Sequence, residues 1–404
     1  MKVIKKNYVF TLLIMVLLGG VAANSNHATV QAYEVSGFYQ YETNDTGITI
    51  TKYTGGELSV TIPSKIAGKK VTAIGSRAFS DNDMIEHVII PTSVITIYGG
   101  VFYDCDSLQE ITIPNNVTTL DSASYGNYDT FGYCDNLTTV IIGDGVTALN
   151  NNCFIECPKL SRVTIGKGVT SIGDSVFENC DSLTSITIPA SVKSIGLHCF
   201  TNCDNLKTVT LSYGLDTIYG GAFYNCSSLT EMIIPNSVIT LDSAEYGNYE
   251  IFGKCSNLLR LQLPNSVATI GEALVNESQS VIIYGYANST AAQYATDHSI
   301  PFQELPSLPA EKFSFNESEI LLMVGEKQVL DYTIQPENTT DAILWKSSDE
   351  NIAAVDNIGI VTAKNLGSVS VVATTTSGKK GSITLIIQEA PRSISFKTAA
   401  KTLA

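Results

Sequence analysis

The chain has 404 residues, of which 44% are hydrophobic and 16% charged, and a formal net charge of −15. That length and apolar fraction provide for a large core in two or three domains and exclude wholesale disorder. Residues 1–32 hold three lysines and no acid, so the remainder, with 21 basic and 39 acidic residues, stands at −18 and lacks the basic footprint that a nucleic-acid partner requires.

The first 32 residues read as an export signal. Lys2, Lys5 and Lys6 form a positive n-region, and residues 9–18 are an apolar run too short to span a bilayer with ease. Val30-Gln31-Ala32 offers a cleavage site before Tyr33, with Val21-Ala22-Ala23 as the alternative. The competing reading, an N-terminal anchor helix, is opposed by the polar Asn24, Ser25, Asn26 and His27. No other segment reaches the roughly 18 consecutive apolar residues of a transmembrane helix, so no membrane insertion is expected after cleavage. Residues 33–75 then predict a β-hairpin cap, from two alternating stretches, 47–51 and 58–63, joined through Tyr53-Thr54-Gly55-Gly56.

The dominant feature is a repeat. Phenylalanine recurs at Phe79, Phe102, Phe131, Phe154, Phe177, Phe200, Phe223 and Phe252, in steps of 23 with two steps of 29. Three residues after each comes Asn82 or a cysteine (Cys105, Cys134, Cys157, Cys180, Cys203, Cys226, Cys255), and three further on an Ile or Leu. The stretch Ile186-Thr187-Ile188 alternates as a strand does, and Pro189 then turns the chain. One coil cannot bury such columns alone, whereas a stack of about eight 23-residue coils can, so residues 76–305 predict a solenoid with one continuous parallel sheet. Its far end is expected to be covered by a strand at 280–284 and a helix at 289–298, with Ala292 and Ala295 inward and Asn288 or Ser289 as N-cap.

The pattern Ile-Gly-x-x-x-Phe-x-x-Cys-x-x-Leu-x-x-Ile-x-Ile-Pro resembles the BspA-type (treponemal-type) leucine-rich repeat family, and the ending Tyr284-Gly-Tyr-Ala-Asn-Ser-Thr-Ala-Ala-Gln-Tyr-Ala295 is similar to that family's common terminus. The resemblance covers about residues 33–305 and implies a mainly β leucine-rich-repeat solenoid in a secreted or surface protein of bacteria or mucosal protists, several members being adhesins.

A longer repeat lies on top of the short one. Residues 94–137 align with 215–258 at 29 of 44 positions, and each copy carries a six-residue insertion. The insertions hold Tyr125, Asn127 and Tyr128 in the first copy and Tyr246, Asn248 and Tyr249 in the second. Tyr, Asn, Ser and Gly are what adaptable binding loops use, which makes these six residues candidate ligand contacts; duplication of a block with no role for the loop is the alternative.

Beyond a proline-marked linker at 306–311, residues 312–388 predict a β-sandwich from short alternating stretches at 329–334, 342–346, 352–355, 359–363, 368–374 and 382–387. The run from Trp345 to Ala363 resembles bacterial Ig-like domains of group 2, which implies a core Trp345 and a place in stalks or adhesive arms of surface proteins. Residues 394–404 align with 313–323, so 389–404 reads as the start of a second, truncated Ig-like domain.

Candidate chemistry is sparse. Seven of the nine cysteines share one repeat column and are read as buried apolar thiols; disulfides or a metal site are the alternatives. His198 beside Cys199 is read as a surface His next to a core Cys rather than a thiol–imidazole pair. Asp106, Asp135, Asp181 and Asp204 are expected to bond turn amides, with a Ca²⁺ stripe as the alternative. Thr112, Thr138, Thr139, Thr164, Thr184, Thr187, Thr208, Thr210 and Thr230 are expected to form an outward hydroxyl face. No catalytic, cofactor or metal residues are assigned. The expected function is adhesin-like recognition of an extracellular protein or glycan, without catalysis, at the cell surface or outside the cell. The alternative is a non-binding architectural spacer of the envelope.

Overall fold

The computed structural model describes residues 33–120, 129–242, 250–276, 278, 280–336 and 339–389. These fall into two compact units, one made mostly of residues up to Gln303 and one mostly of residues from Glu304 onward.

In the first unit every coil gives a front strand and a return strand. In Ser185–Ile188 the two isoleucines are buried and Ser185 and Thr187 exposed, the period-two alternation that turns one face inward. Successive front strands run parallel in register: Val140 lies opposite Ile111 below and Val163 above. Short return strands, such as Ser171–Ile172 and Ser194–Ile195, form a second parallel ladder. The expectation of one continuous sheet is therefore corrected in two ways. There are two ladders; the return one is interrupted between Thr119–Leu120 and Ala148–Leu149, and the front one between Arg162–Thr164 and Ser185–Ile188 and again between Thr208–Leu211 and Glu231–Ile233. Over the same coils the return ladder runs unbroken through six strands, from Ala148–Leu149 to Thr269–Ile270.

Between the ladders lies the core. The eight phenylalanines are fully buried and stack ring on ring. Their centroids lie 5.1–5.6 Å apart, within the range of favourable aromatic pairs. The seven column cysteines do more than fill space. Each thiol donates to the backbone carbonyl of the Phe one coil below, as from Cys105 Sγ to Phe79 O at 3.1 Å and from Cys203 Sγ to Phe177 O at 3.2 Å. Phe200 O also accepts from Cys203 N at 3.2 Å; a buried carbonyl left without any donor costs about 1–3 kcal/mol. At the end of the column Ser278 takes the cysteine's place and its hydroxyl donates to Phe252 O at 2.8 Å. Left-handed residues bracket six of the eight Phe, as Ser175 (φ 54°) and Asn179 (φ 58°) do around Phe177, and follow Phe131 and Phe252 at Tyr133 and Lys254. Asparagine tolerates that conformation, and here it also forms a ladder: Asn179 donates to Glu156, Asn202 to Asn179 and Asn225 to Asn202, at 2.7–2.9 Å.

The N-terminal cap differs from the expected hairpin. Gly47–Tyr53 and Ser59–Thr61 do not pair with each other. Gly47–Tyr53 is a return strand, parallel to Lys69–Ile74, and Ser59–Thr61 is a front strand, parallel to His87–Ile89. The two are opposite sides of one more, degenerate coil, in which Tyr53 replaces Phe and stacks on Phe79 at 5.0 Å. The antiparallel cover is Tyr39–Asn44, paired with Gly47–Tyr53. At the other end the helix is Thr290–Asp297, with Ser289 just before it at the N-cap position. It buries Ala291, Tyr294 and Ala295, so Ala291 rather than Ala292 shares the inner face. The Tyr294 hydroxyl accepts from Leu274 N at 3.0 Å, and Val275, at the Phe position, is buried.

The second unit is a β-sandwich. Ile343–Ser347, Gly367–Thr375 and Lys380–Gln388 form an antiparallel run, joined in parallel by Glu319–Met323. Lys327–Val329, Ile360–Ala363 and Ala353–Val355 form a second sheet, and Leu322, Val361, Val371 and Leu385 lie in the core. The stretch 329–334, expected as one strand, is split at the buried Leu330: Lys327–Val329 and Tyr332–Gln335 belong to different sheets. Trp345 sits at the margin of the core, half-buried against Phe313, Phe315 and Tyr332. Gly359 (φ 83°) passes so close to its ring that a Cβ there would lie 2.6 Å from it, so only glycine suits this turn.

Candidate functional site

Tyr125, Asn127, Tyr128, Tyr246, Asn248 and Tyr249 lie outside the described residues. The residues beside the insertions are described. Tyr103 and Tyr133 meet at 5.4 Å with Arg77 stacked over Tyr103 at 5.1 Å, and in the second copy Lys254 lies 5.3 Å over Tyr224. Each copy thus presents a cation on an aromatic ring.

The front face carries the hydroxyls. Thr112, Thr138, Thr164, Thr184, Thr187, Thr208, Thr210 and Thr230 are exposed, and Thr139 is half-buried. Apolar residues stand in the same outward column as Thr112, Thr164 and Thr187: Ile89, Ile141 and Ile233 are 63%, 42% and 48% exposed. At one end of the face His87 Nδ1 lies 3.8 Å from Glu110.

The two interruptions of the front ladder open clefts on this face. The cleft between Arg162–Thr164 and Ser185–Ile188 has a volume of about 680 Å³, and that between Thr208–Leu211 and Glu231–Ile233 about 470 Å³. Their floors are inward residues: Val163 and Val209 are half-buried, whereas Ile186 and Met232 on the facing strands of the same clefts are buried. These clefts escaped the sequence reading, yet a signal exists. Gly143 and Ser212 close their rungs by donating N–H to Ile113 O and Ile188 O, at 2.9 and 3.1 Å. Pro189 and Pro235 occupy that position above the two openings and have no hydrogen to give. Proline alone does not open a rung, since Pro91 and Pro264 stack over Pro63 and Pro235 with three pairs kept. The ladder parts where proline follows Gly166 or Ser212.

All nine cysteines are buried thiols. Burial pushes Cys105, Cys157 and Cys255 up to about 12, so they stay protonated and unreactive at neutral pH. Cys199 is buried, while His198 is half-buried with Nδ1 3.2 Å from the Thr201 hydroxyl. Of the four carboxylates expected to bond turn amides, Asp106 does so, to the backbone of Asp135 one coil away. Asn115, Asp144, Asn151 and Asp174 play the same part, each accepting a backbone N–H one coil away at 2.8–2.9 Å. Asp106 and Asp181 have raised carboxyl pKa values, first from partial burial and then from the neighbouring acids, chiefly Asp135 and Asp204. Among the described residues no three His, Cys, Asp or Glu side chains gather as a metal site, and no helix is long and apolar enough to cross a membrane.

The model of the BspA type leucine rich repeat region matches in six copies over residues 56–129, 127–249 and 245–291, more than half the chain. The chain belongs to the BspA-type leucine-rich repeat family. A bacterial Ig-like domain of group 2 follows at residues 309–385. Among curated proteins, an uncharacterized protein of Clostridium acetobutylicum is 40% identical over 75 residues, which is 18% of this chain and 19% of that protein. Lacto-N-biosidase of Bifidobacterium bifidum is 37% identical over 68 residues, 17% of this chain and 6% of that enzyme. The chain therefore spans only small parts of the curated relatives it matches. Among solved structures, a leucine rich cell surface protein of Faecalibacterium prausnitzii is 24% identical with a TM-score of 0.37, over 67% of this chain and 98% of that one. A leucine rich repeat protein of T. pallidum is 22% identical with a TM-score of 0.35, over 66% and 95%. As a BspA-type solenoid the chain offers an extended interaction surface.

Proposed function

We propose that this BspA-type protein is a non-catalytic recognition protein, exported or held at the cell surface, that binds an extracellular protein or glycan through the repeat surface. The observation that carries this reading is the front face, where the exposed Ile89, Ile141 and Ile233 share one outward column with Thr112, Thr164, Thr187 and Thr210, one residue per coil. Such a column spaces apolar and hydrogen-bonding contacts at about 4.8 Å over many coils, which suits a partner bound by surface complementarity. The positively charged start of residues 1–32 supports export. Tyr125, Asn127, Tyr128, Tyr246, Asn248 and Tyr249 are proposed as additional contacts, on their composition.

The test is binding of the full chain to immobilised laminin, collagen and mucin by surface plasmon resonance. Saturable binding that is lost on Ile141→Asp with Ile233→Asp, or on alanine replacement of the four insertion tyrosines, supports the reading. Failure to bind any of the three, or binding indifferent to both sets, contradicts it.

A further inference from the structure

The two clefts share one construction. Among the described residues, Arg162–Thr164 is not paired as a strand with Ser185–Ile188, nor Thr208–Leu211 with Glu231–Ile233. Each cleft therefore has two facing strand edges that the protein itself does not pair. Each has a half-buried valine at its floor, threonine hydroxyls on its walls and a proline at its end: Val163, Thr164, Thr187 and Pro189 in the first, Val209, Thr210, Thr230 and Pro235 in the second.

What fits between the edges is limited by what lies behind them. Phe154–Phe177 and Phe200–Phe223 remain stacked at 5.6 and 5.2 Å. Cys180 and Cys226 still donate to Phe154 O and Phe200 O, at 3.3 and 3.2 Å. On the return side Ser171 pairs with Ser194 and Thr217 with Thr240. With the coils pinned on three lines, the front opens only as a wedge and cannot gain the roughly 4.8 Å that an inserted strand would need. A peptide strand is thus excluded from the ladder. The unpaired edges present amides and carbonyls together, and the group that serves both is a hydroxyl, which donates and accepts in one atom. A pyranose ring carries such hydroxyls at its rim and an apolar C–H face that suits valine and proline.

Equivalent residues of the two clefts are 46 positions apart, two coils, or about 10 Å along the stack. The first cleft also shares Thr164 and Ile165 with a hollow of about 510 Å³ that continues over residues 141–144. Openings that repeat along the stack and run on into a groove suit a chain of sugars lying across the coils better than a single small molecule.

We infer that these two clefts are glycan subsites, in which sugar hydroxyls bridge the unpaired strand edges over the floors of Val163 and Val209. This rests on the recognition reading above and narrows its ligand to a glycan at these coils.

The test uses the full chain on an array of printed mammalian and microbial glycans, with the strongest binder then titrated as the free oligosaccharide. The combined change Thr164→Val, Thr187→Val, Thr210→Val and Thr230→Val removes wall hydroxyls at nearly constant volume. It is expected to weaken binding about tenfold, the size of one or two neutral hydrogen bonds. Thr147→Val with Thr269→Val, exposed on the return side away from both clefts, should stay within roughly twofold. Unchanged thermal midpoints in both variants separate lost affinity from a folding defect. No binder on the array, or equal losses in the two variants, overturns the inference. A chain that binds no glycan yet still binds laminin or collagen keeps the recognition reading and loses the clefts.

Discussion

The front and return sides of the solenoid are built by the same coils, yet they behave differently. Front strands reach four residues, as in Thr139–Ile142, while most return strands have two, as in Ser194–Ile195. Strand length alone would make the front the stronger ladder. Over the coils from Ala148 to Ile270 it is the front that opens twice, and the short return ladder that holds. The Phe stack and the thiol-to-carbonyl bonds fix the coil spacing, and ladder bonds follow where the backbone has donors to give. Where Pro189 and Pro235 withdraw a donor above Gly166 and Ser212, the front parts while the core stays stacked.

The largest expected effect comes from removing the brace. Phe177→Ala should destabilise the chain by about 3–5 kcal/mol, the range for a truncated core aromatic, read from chemical denaturation. A loss under about 1 kcal/mol would mean that the ladders, not the rings, hold the coils. Next is the thiol. Cys180→Val keeps the volume but leaves Phe154 O without a donor and should cost about 1–3 kcal/mol, whereas Cys180→Ser should cost less. Ser278 already fills that role for Phe252. Equal losses for Val and Ser would show that the column is only apolar filling.

The thiols also set a pH limit. Cys105, Cys157 and Cys255 titrate near 12 in the folded chain against an ordinary 9.0, so folding favours the protonated form. Their stabilising contribution is fully present below pH 9 and is lost as pH rises through about 12. The urea midpoint should therefore fall over that alkaline interval, and a flat midpoint would contradict the buried donor role. At neutral pH iodoacetamide should label none of the nine in the folded chain and all nine after denaturation.

The repeat was legible because a solenoid writes each core position at a fixed period: the Phe and Cys columns and the inward Ile residues could be read off directly. The Ig-like sandwich was legible from Trp345 to Ala363. Three things were not. Tyr53 was read as part of a turn because its partner in the stack, Phe79, lies 26 residues on, outside the 23-residue step. The thiols were read as apolar because a hydrogen bond to a backbone carbonyl leaves no mark in residue pattern. The clefts depend on which residue ends one coil and which ends the next, a relation between neighbours that column-by-column reading does not see.

Amide hydrogen exchange, read residue by residue by NMR, tests the difference between the two sides most directly. In a joined parallel rung every second amide donates, as Thr139 and Gly143 do to Gln109 and Ile113, which places Ile141 between them. By the same register Thr187 and Ile233 are the amides facing the two clefts. They should exchange about as fast as surface turns, while Ile141 and Thr210 on joined front rungs, and Gly196 bonded to Ile172 on the return side, should exchange with the global unfolding of the unit. If Thr187 and Ile233 are as slow as Ile141 and Gly196, the front ladder is continuous and the account of the clefts is wrong.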